Sequence, residues 1–301
     1  MSFLEKLISI IDKNRVLQDE PMKAHTTFRV GGNADYFVCP NSIDEVKNVV
    51  ALCKEEQMPY YILGNGSNLL VGDKGFRGVI IQIYKEMNAI EVKEDKVIVE
   101  AGALLSRIGN VALEESLTGF EFAAGIPGTV GGAVVMNAGA YGGEMKDVLE
   151  TVTVLTPEGD VIVLENAELE LGYRTSIIAK KDYIVLGAVI KLEHGDKTVI
   201  KEKMTELKIQ RTTKQPLEYP SAGSTFKRPV GYFAGKLIDD AGLRGFQVGG
   251  AQVSEKHCGF VINKDNATAA DIVELMKQVA DIVKDKFGVE LEAEVKRLGE
   301  F

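Results

Sequence analysis

The sequence predicts an α+β protein: a sheet covered by helices, followed by a smaller α+β region at the C-terminal end. Three observations point there. Asp35 to Leu63 reads strand–helix–strand, the pattern from Gly78 shifts to paired hairpin strands, and beyond Lys214-Gln215-Pro216 short strands flank one long helix. A chain of 301 residues has room for two or three domains, and 45% hydrophobic with 26% charged residues is an ordinary globular balance.

The elements follow in order. MSFLEKLISIIDKN reads as an amphipathic helix; acidic residues inside its apolar run argue against a signal peptide, so a cytoplasmic location is expected. A polar connection leads through His25-Thr26-Thr27-Phe28-Arg29-Val30-Gly31-Gly32 to a strand at Asp35–Cys39. Ser42 opens a helix through Gln57, with Glu45 three residues on completing a capping box, and Pro59 stops it before the strand Tyr60–Leu63. GVIIQI from Gly78 is a strand, and AIEVKEDKVIVEAG is a hairpin turning at Glu94-Asp95. A helix spans Leu104 to Leu117, TVTVLTPEGDVIVLE turns at Pro157-Glu158-Gly159, and YIVLGAVIKLE is a strand. A helix from Lys197 to Arg211 reaches the boundary near Lys214. Past it come a helix at Tyr232–Asp240, strands in VGGAQV and CGFVIN, a helix at Ala267–Phe287, and a terminal strand carrying Glu290, Glu292 and Glu294 on one face.

Composition removes several function classes. A net charge of −9 argues against nucleic acid as a partner. Cys39, Cys53 and Cys258 are scattered without zinc-ligand or disulfide-framework spacing, so no metal site is expected. Adjacent His257 and Cys258 would point to opposite faces of a strand, against a Cys–His nucleophile.

The glycines carry the functional signal. Ala123 to Gly143, AAGIPGTVGGAVVMNAGAYGG, has no charge and seven glycines without a fixed period. Such a segment is too glycine-rich for a good helix, which disfavours a membrane span, and too irregular for collagen. It is either a backbone that approaches a bound molecule closely or a set of tight turns in a β-rich core. A second loop, Gly64-Asn65-Gly66-Ser67-Asn68, follows a strand as a nucleotide loop should. It lacks the third glycine of the dinucleotide fingerprint, and Gly72, Gly75 and Gly78 preclude the helix that would receive a pyrophosphate. Two such cradles in one chain favour a dinucleotide held outside a Rossmann fold.

TTFRVGG, LGNGSNLLV, GIPGTVGGAVVMNAGAYGGE, GYRTS, KQP with SAGSTFKRP, and LEAEVK occur in this order from about Lys23 to the C-terminus. Together they resemble the UDP-N-acetylenolpyruvoylglucosamine reductase family. The resemblance implies a vanillyl-alcohol-oxidase-type FAD-binding fold of two α/β subdomains plus a C-terminal α+β substrate domain. The expected division is a lead-in at about 1–22, an FAD domain at about 23–196 split near 77, and a substrate domain at about 197–301. It also implies noncovalent FAD, NADPH as hydride donor, and a sugar-nucleotide substrate reduced for peptidoglycan synthesis. The interval from Tyr173 to Ser224 resembles the shorter form of the family, which lacks a tyrosine loop.

Carried over by motif, Ser224 resembles the proton donor, Arg174 the carboxylate ligand, and Glu294 the third catalytic position. Arg174 suits a planar carboxylate or enolate, while Glu294 either donates a proton or orients Arg174, according to its ionisation. Tyr173, Lys214 and Arg228 are assigned to the substrate. Gly64, Asn65, Gly66, Ser67, Asn68, Gly125, Ile126, Pro127, Gly128, Gly131, Gly132 and Asn137 are assigned to FAD. Lys256 or His257 is a further candidate for the sugar-nucleotide site. The competing expectations are an FAD-dependent oxidase or dehydrogenase of an alcohol or hydroxy acid on the same fold, and a noncatalytic flavin-binding protein.

Overall fold

The computed structural model describes all residues, Met1–Phe301. The chain forms two compact units, neither continuous in sequence. The first comprises Met1–Leu17, Tyr36–Asn65 and Gly78–Arg211; the second comprises Gln18–Asp35, Gly66–Arg77 and Thr212–Phe301.

In the first unit, helix α1 (Phe3–Ile10) is capped by Ser2, whose hydroxyl accepts from the Glu5 amide while Glu5 completes the box, and it buries Leu7. Helix α2 (Ile43–Glu55) starts where expected, with the Ser42 hydroxyl accepting from the Glu45 amide, and buries Val46, Val49, Val50 and Cys53. The expected capping box is not completed. The Glu45 carboxylate accepts instead from Arg15 at 2.5 and 2.7 Å and from the Asn41 amide at 2.8 Å. A partly buried guanidinium offers it a stronger, charge-assisted partner than the cap backbone does. Strand Tyr60–Leu63 then pairs in parallel with Val79–Gln82.

The main sheet of this unit is five-stranded and antiparallel, in the order Val161–Glu165, Leu149–Leu155, Ile184–Lys191, Lys96–Glu100, Ile90–Lys93. Its hairpins turn where the sequence places them, and Glu94 adopts a positive φ of 55° at one turn. Helix α3 (Leu105–Glu114) ends before the expected Leu117; Leu117–Thr118 pairs instead with Glu193–His194. The glycine-rich stretch contains a one-and-a-half-turn helix, α4 (Val130–Val135), which buries Val130, Ala133 and Val134. A single turn, α5 (Ile177–Lys180), precedes the last strand. Helix α6 (Lys197–Lys214) runs three residues past Arg211.

The expected boundaries at 22/23 and 196/197 differ from the compact units. Helix α6 belongs to the first unit as far as Arg211 because it buries Ile200 and Leu207 and brings the Met204 methyl against Gly109 of α3. Helical periodicity locates such a helix but does not say which core receives it.

The second unit has helix α7 (Ala234–Asp240) and a three-stranded antiparallel sheet of Gln247–Val248, Ala251–Val253 and Val261–Asn263. Helix α8 (Ala269–Phe287) buries Ile272, Leu275, Met276, Val279 and Val283 on one side. Thr268 caps it with a capping box, the Asp73 carboxylate accepts from the Ala269 and Ala270 amides at 2.8 and 2.9 Å, and Gly288 ends it at φ 69°. Phe28, Leu70 and Val253 join its core. The terminal strand is Lys296–Leu298, parallel to Leu69–Val71. It starts after the glutamates: Glu290–Glu294 is extended chain anchored by one bridge, Ala293 to Phe226. No helix is long and apolar enough to cross a membrane.

Arg15 hydrogen-bonds hold the Glu45 carboxyl below the usual carboxylate range. A depressed native pKa adds stability above the unfolded pKa and loses it as the pH falls through the native value. Glu45→Gln is expected to cost about 1 kcal/mol at pH 7, discounted for partial solvent access. The gap to the parent should close as the pH drops below about 4.3 in urea titrations; a gap independent of pH contradicts the assignment.

Candidate active site

In the first unit the two glycine-rich loops touch. The Asn65 carboxamide donates to the Pro127 carbonyl at 2.8 Å, and a Cβ on Gly64 would overlap the Thr129 hydroxyl. Gly64 is therefore required by the loop-to-loop fit. Gly131 is likewise packed, with its Cβ position 3.3 Å from Ala101. The amides of Val130 and Gly131 donate to Ala103 and Ala101 at 2.9 and 2.8 Å, and the Leu105 amide donates to the Gly128 carbonyl. Those two amides are spent inside the fold and do not face a ligand.

Gly125 and Gly132 differ. Both are exposed; a Cβ on Gly132 would come no nearer than 3.9 Å to Thr129, and one on Gly125 would meet only the flexible Arg211 stem at 3.4 Å. Packing within the protein does not demand glycine at either position, and neither φ is positive. A loop open in this way fits a flat group lying against the backbone.

Asn137, expected at the cofactor, is a buried brace. Its Nδ2 donates to Glu144 at 2.9 Å and to the Gly172 carbonyl at 3.1 Å, and its Oδ1 accepts from the Lys146 amide at 3.0 Å. Those bonds commit both ends of its carboxamide and tie the glycine-rich stretch to the GYRTS turn.

That turn is a tight one: Gly172 and Thr175 exchange backbone hydrogen bonds at 3.1 and 3.3 Å, leaving Tyr173 and Arg174 at the tip. Arg174 has φ 55°, a left-handed conformation that L-residues adopt at a cost. Its guanidinium lies 5.2 Å from the Tyr173 ring, and Tyr173 is exposed. Ser176 fixes the far side by donating to the Val135 carbonyl at 2.8 Å. Lys146 chiefly, with Asn137 and the charge of Arg174, holds the Glu144 carboxyl below its ordinary range.

In the second unit, Ser224 and Glu294 sit on neighbouring segments. The Glu294 amide donates to the Thr225 carbonyl at 2.9 Å, and the Lys227 amide donates to the Glu292 carbonyl at 2.8 Å. Thr225 is buried and locked: its amide donates to Gly259 at 2.9 Å and its hydroxyl accepts from Val261 at 2.8 Å. Ser224, the preceding residue, is exposed, and Gly223 before it has φ 75°. The three glutamates separate by environment. Glu290 is ion-paired to Lys284 and Glu292 to Lys227, both with side chains more than 70% exposed, whereas Glu294 is half-buried.

The Gly66–Asn68 loop lies behind this pair. Asn68 donates from Nδ2 to the Glu294 carbonyl at 3.2 Å, and its own carbonyl accepts from the Lys296 amide at 3.0 Å. Gly66 has φ 63°, and a Cβ there would collide with the His25 carbonyl, so local packing already accounts for this glycine. Its carbonyl accepts from Thr27, whose hydroxyl donates to Ser221 at 2.6 Å. Ser67 is half-buried in the same loop. Thr27 and Thr129 thus position the loops, roles with no sequence signal beyond residence in the TTFRVGG and GIPGTVGG motifs.

Lys214, at the end of α6, and Arg228 are exposed; the Arg228 guanidinium stacks 4.0 Å from the Phe233 ring. Lys256 donates to the Thr212 carbonyl and pairs with Glu218. His257 and Cys258 lie in a turn, not the expected strand. The Gly259 amide donates to His257 Nδ1, and burial pushes the Cys258 thiol up to about 11, so it is no thiolate nucleophile.

A family model described as FAD binding domain matches residues 34–165, and one described as UDP-N-acetylenolpyruvoylglucosamine reductase, C-terminal domain, matches 215–298. The reductase of that name from Caldanaerobacter subterraneus is 55% identical over 99% of this chain and 98% of its own, and that of Clostridioides difficile is 53% identical over 98% and 97%. The solved reductase of Thermus caldophilus superposes with a TM-score of 0.80 at 37% identity, covering 94% of this chain and 98% of its own. Phl p 4.0202, a glucose dehydrogenase, matches 65% of this chain and 44% of its own with a TM-score of 0.52 at 15% identity, a likeness of fold alone. The fold is of the vanillyl-alcohol-oxidase type with an added C-terminal domain.

Gly132→Val is expected to leave the thermal midpoint of the flavin-stripped protein near the parent value while sharply weakening FAD binding in a fluorescence titration. Gly64→Val should lower that midpoint directly, through the clash with Thr129. Parent-like FAD affinity in Gly132→Val would remove this loop from the cofactor site.

Proposed function

The chain belongs to the UDP-N-acetylenolpyruvoylglucosamine reductase family, and we propose that it reduces the enolpyruvyl ether of that sugar nucleotide to UDP-N-acetylmuramate. We place the reaction in peptidoglycan precursor synthesis, in the cytoplasm, with NADPH as hydride donor and no nucleic-acid partner. The observation that supports the residue-level reading is the Thr225–Glu294 backbone pairing, which joins the segment carrying Ser224 to that of a half-buried glutamate, whereas Glu290 and Glu292 are more than 70% exposed. Full-length likeness to reductases leaves the alcohol-oxidising alternative without support of its own.

Noncovalent FAD held in this loop would supply the hydride chemistry, linking the nicotinamide donor to the terminal vinyl carbon of the substrate. Gly125 and Gly132 admit the flavin to the backbone, with Gly64, Asn65, Ile126, Pro127, Gly128 and Gly131 shaping the loop and Gly66, Ser67 and Asn68 continuing it. Arg174 binds the substrate carboxylate and stabilises the enolate charge that builds there, since its fork matches two oxygens. The Ser224 hydroxyl gives its proton to the other vinyl carbon, completing the saturated ether. A serine is a weak acid, so this donation depends on a basic enolate, and Lys214 and Arg228 supply positive charge to the substrate alongside Tyr173. Glu294 is the acidic member at the developing enolate.

Stopped-flow absorbance separates these roles. Ser224→Ala should be reduced by NADPH near the parent rate, while reoxidation by the enolpyruvyl substrate slows by about 10²–10⁴-fold, the usual worth of positioned proton transfer. Parent-rate reoxidation excludes serine as donor.

Glu294→Gln should also slow reoxidation strongly, with little change in substrate affinity. Glu292→Gln and Glu290→Gln, which lose only exposed lysine pairs, should stay near the parent. A crippled Glu292→Gln would reassign the acidic position.

A further inference from the structure

Arg211 lies near the end of α6, in the first unit, and its sequence context marks it as nothing more than a helix arginine. Its surroundings are unusual. The side chain runs over the glycine-rich loop, with Cδ 3.4 Å and Nη1 4.0 Å from where a Cβ of Gly125 would stand. Arg15, Arg77 and Arg244 are each paired with a carboxylate. Arg211 is not: burial pushes its pKa below the ordinary arginine value, and the one ionisable group acting on it is the Tyr141 phenol. Taking a guanidinium out of water without an anion is costly, and such a group persists where a ligand completes the pair.

We propose that Arg211 is a ligand for an anionic oxygen of bound FAD, reaching it across Gly125. This rests on the reading of the Gly125–Gly132 loop as the flavin loop. Two parts of FAD offer that chemistry. The diphosphate is anionic in both redox states, whereas the pyrimidine edge of the isoalloxazine gains negative charge on reduction. In either case Gly125 leaves the approach open: a Cβ there would stand 3.4 Å from the arginine stem, in ordinary contact with it.

The test is Arg211→Met, with Arg211→Lys beside it, in the full chain. FAD affinity, or the midpoint potential of bound FAD, should change by the equivalent of about ten- to a hundredfold, the scale of a hydrogen bond to a charged group. The lysine variant should recover part of that change. Equal loss for oxidised and reduced FAD assigns the guanidinium to the diphosphate. Loss confined to reduced FAD, seen as a lower midpoint potential, assigns it to the isoalloxazine edge. The flavin-stripped Met variant should melt at or above the parent temperature, because an unpaired desolvated cation is gone.

Parent-like affinity and potential in Arg211→Met overturn the proposal, as does a raised KM for the sugar nucleotide alone, which would give the arginine to the substrate. A lower melting temperature of the flavin-stripped variant overturns it too, by making the arginine a fold element. If Gly132→Val loses FAD while Arg211→Met does not, only this proposal fails; if both keep FAD, the loop reading fails first.

Discussion

The second unit is organised around the backbone of the Gly66–Asn68 loop. The Gly66 carbonyl holds Thr27, and the Thr27 hydroxyl holds Ser221, three residues before Ser224. Two residues further on, Asn68 holds the Glu294 carbonyl and the Lys296 amide. One short loop thus fixes both segments that carry the candidate donor and acid. Its conformation depends on φ 63° at Gly66 and on the absence of a Cβ against the His25 carbonyl. A side chain at Gly66 would displace both segments, so lost activity from such a change would report on scaffold and cofactor together. Gly132 separates the two effects because its surroundings leave room.

The first unit uses a different device for Arg174. Two residues between bridged partners, Gly172 and Thr175, leave the arginine little freedom, and its left-handed φ carries a cost of order 1 kcal/mol. Asn137 from the glycine-rich stretch and Ser176 to Val135 hold the turn from both sides. The guanidinium lies 5.2 Å from the Tyr173 ring, a contact that supports the planar face of the fork. Such an arrangement suits a group that must meet a carboxylate already oriented.

Local signals were legible in the sequence: the hairpins at Glu94-Asp95 and Pro157–Gly159, the capped start of α2, the long helix α8, and the motifs holding Arg174, Ser224 and Glu294. Features set by tertiary contact were not. Helix α4 forms among glycines because burying Val130, Ala133 and Val134 outweighs poor propensity. The two units interleave along the chain, so no single linker marks their division. Alternation could not choose among Glu290, Glu292 and Glu294; tertiary burial separates them, leaving Glu294 half-buried and the other two more than 70% exposed. Asn137 looked like a ligand residue because it sits among glycines, yet its amide is spent on Glu144, Gly172 and Lys146.

Glycine content by itself therefore says less than the reason for each glycine. Gly64 and Gly66 are small because Thr129 and His25 occupy the space a side chain would need, and Gly131 because Ala101 crowds it. Gly125 and Gly132 face no comparable protein constraint, and that surplus permissiveness points to a neighbour outside the chain. The same asymmetry holds for the arginines: those with carboxylate partners are accounted for by the fold, and Arg211 is not. An unexplained glycine and an unneutralised arginine meet at one place, over Gly125. A single flat, anionic guest would meet both deficits, one of volume and one of charge.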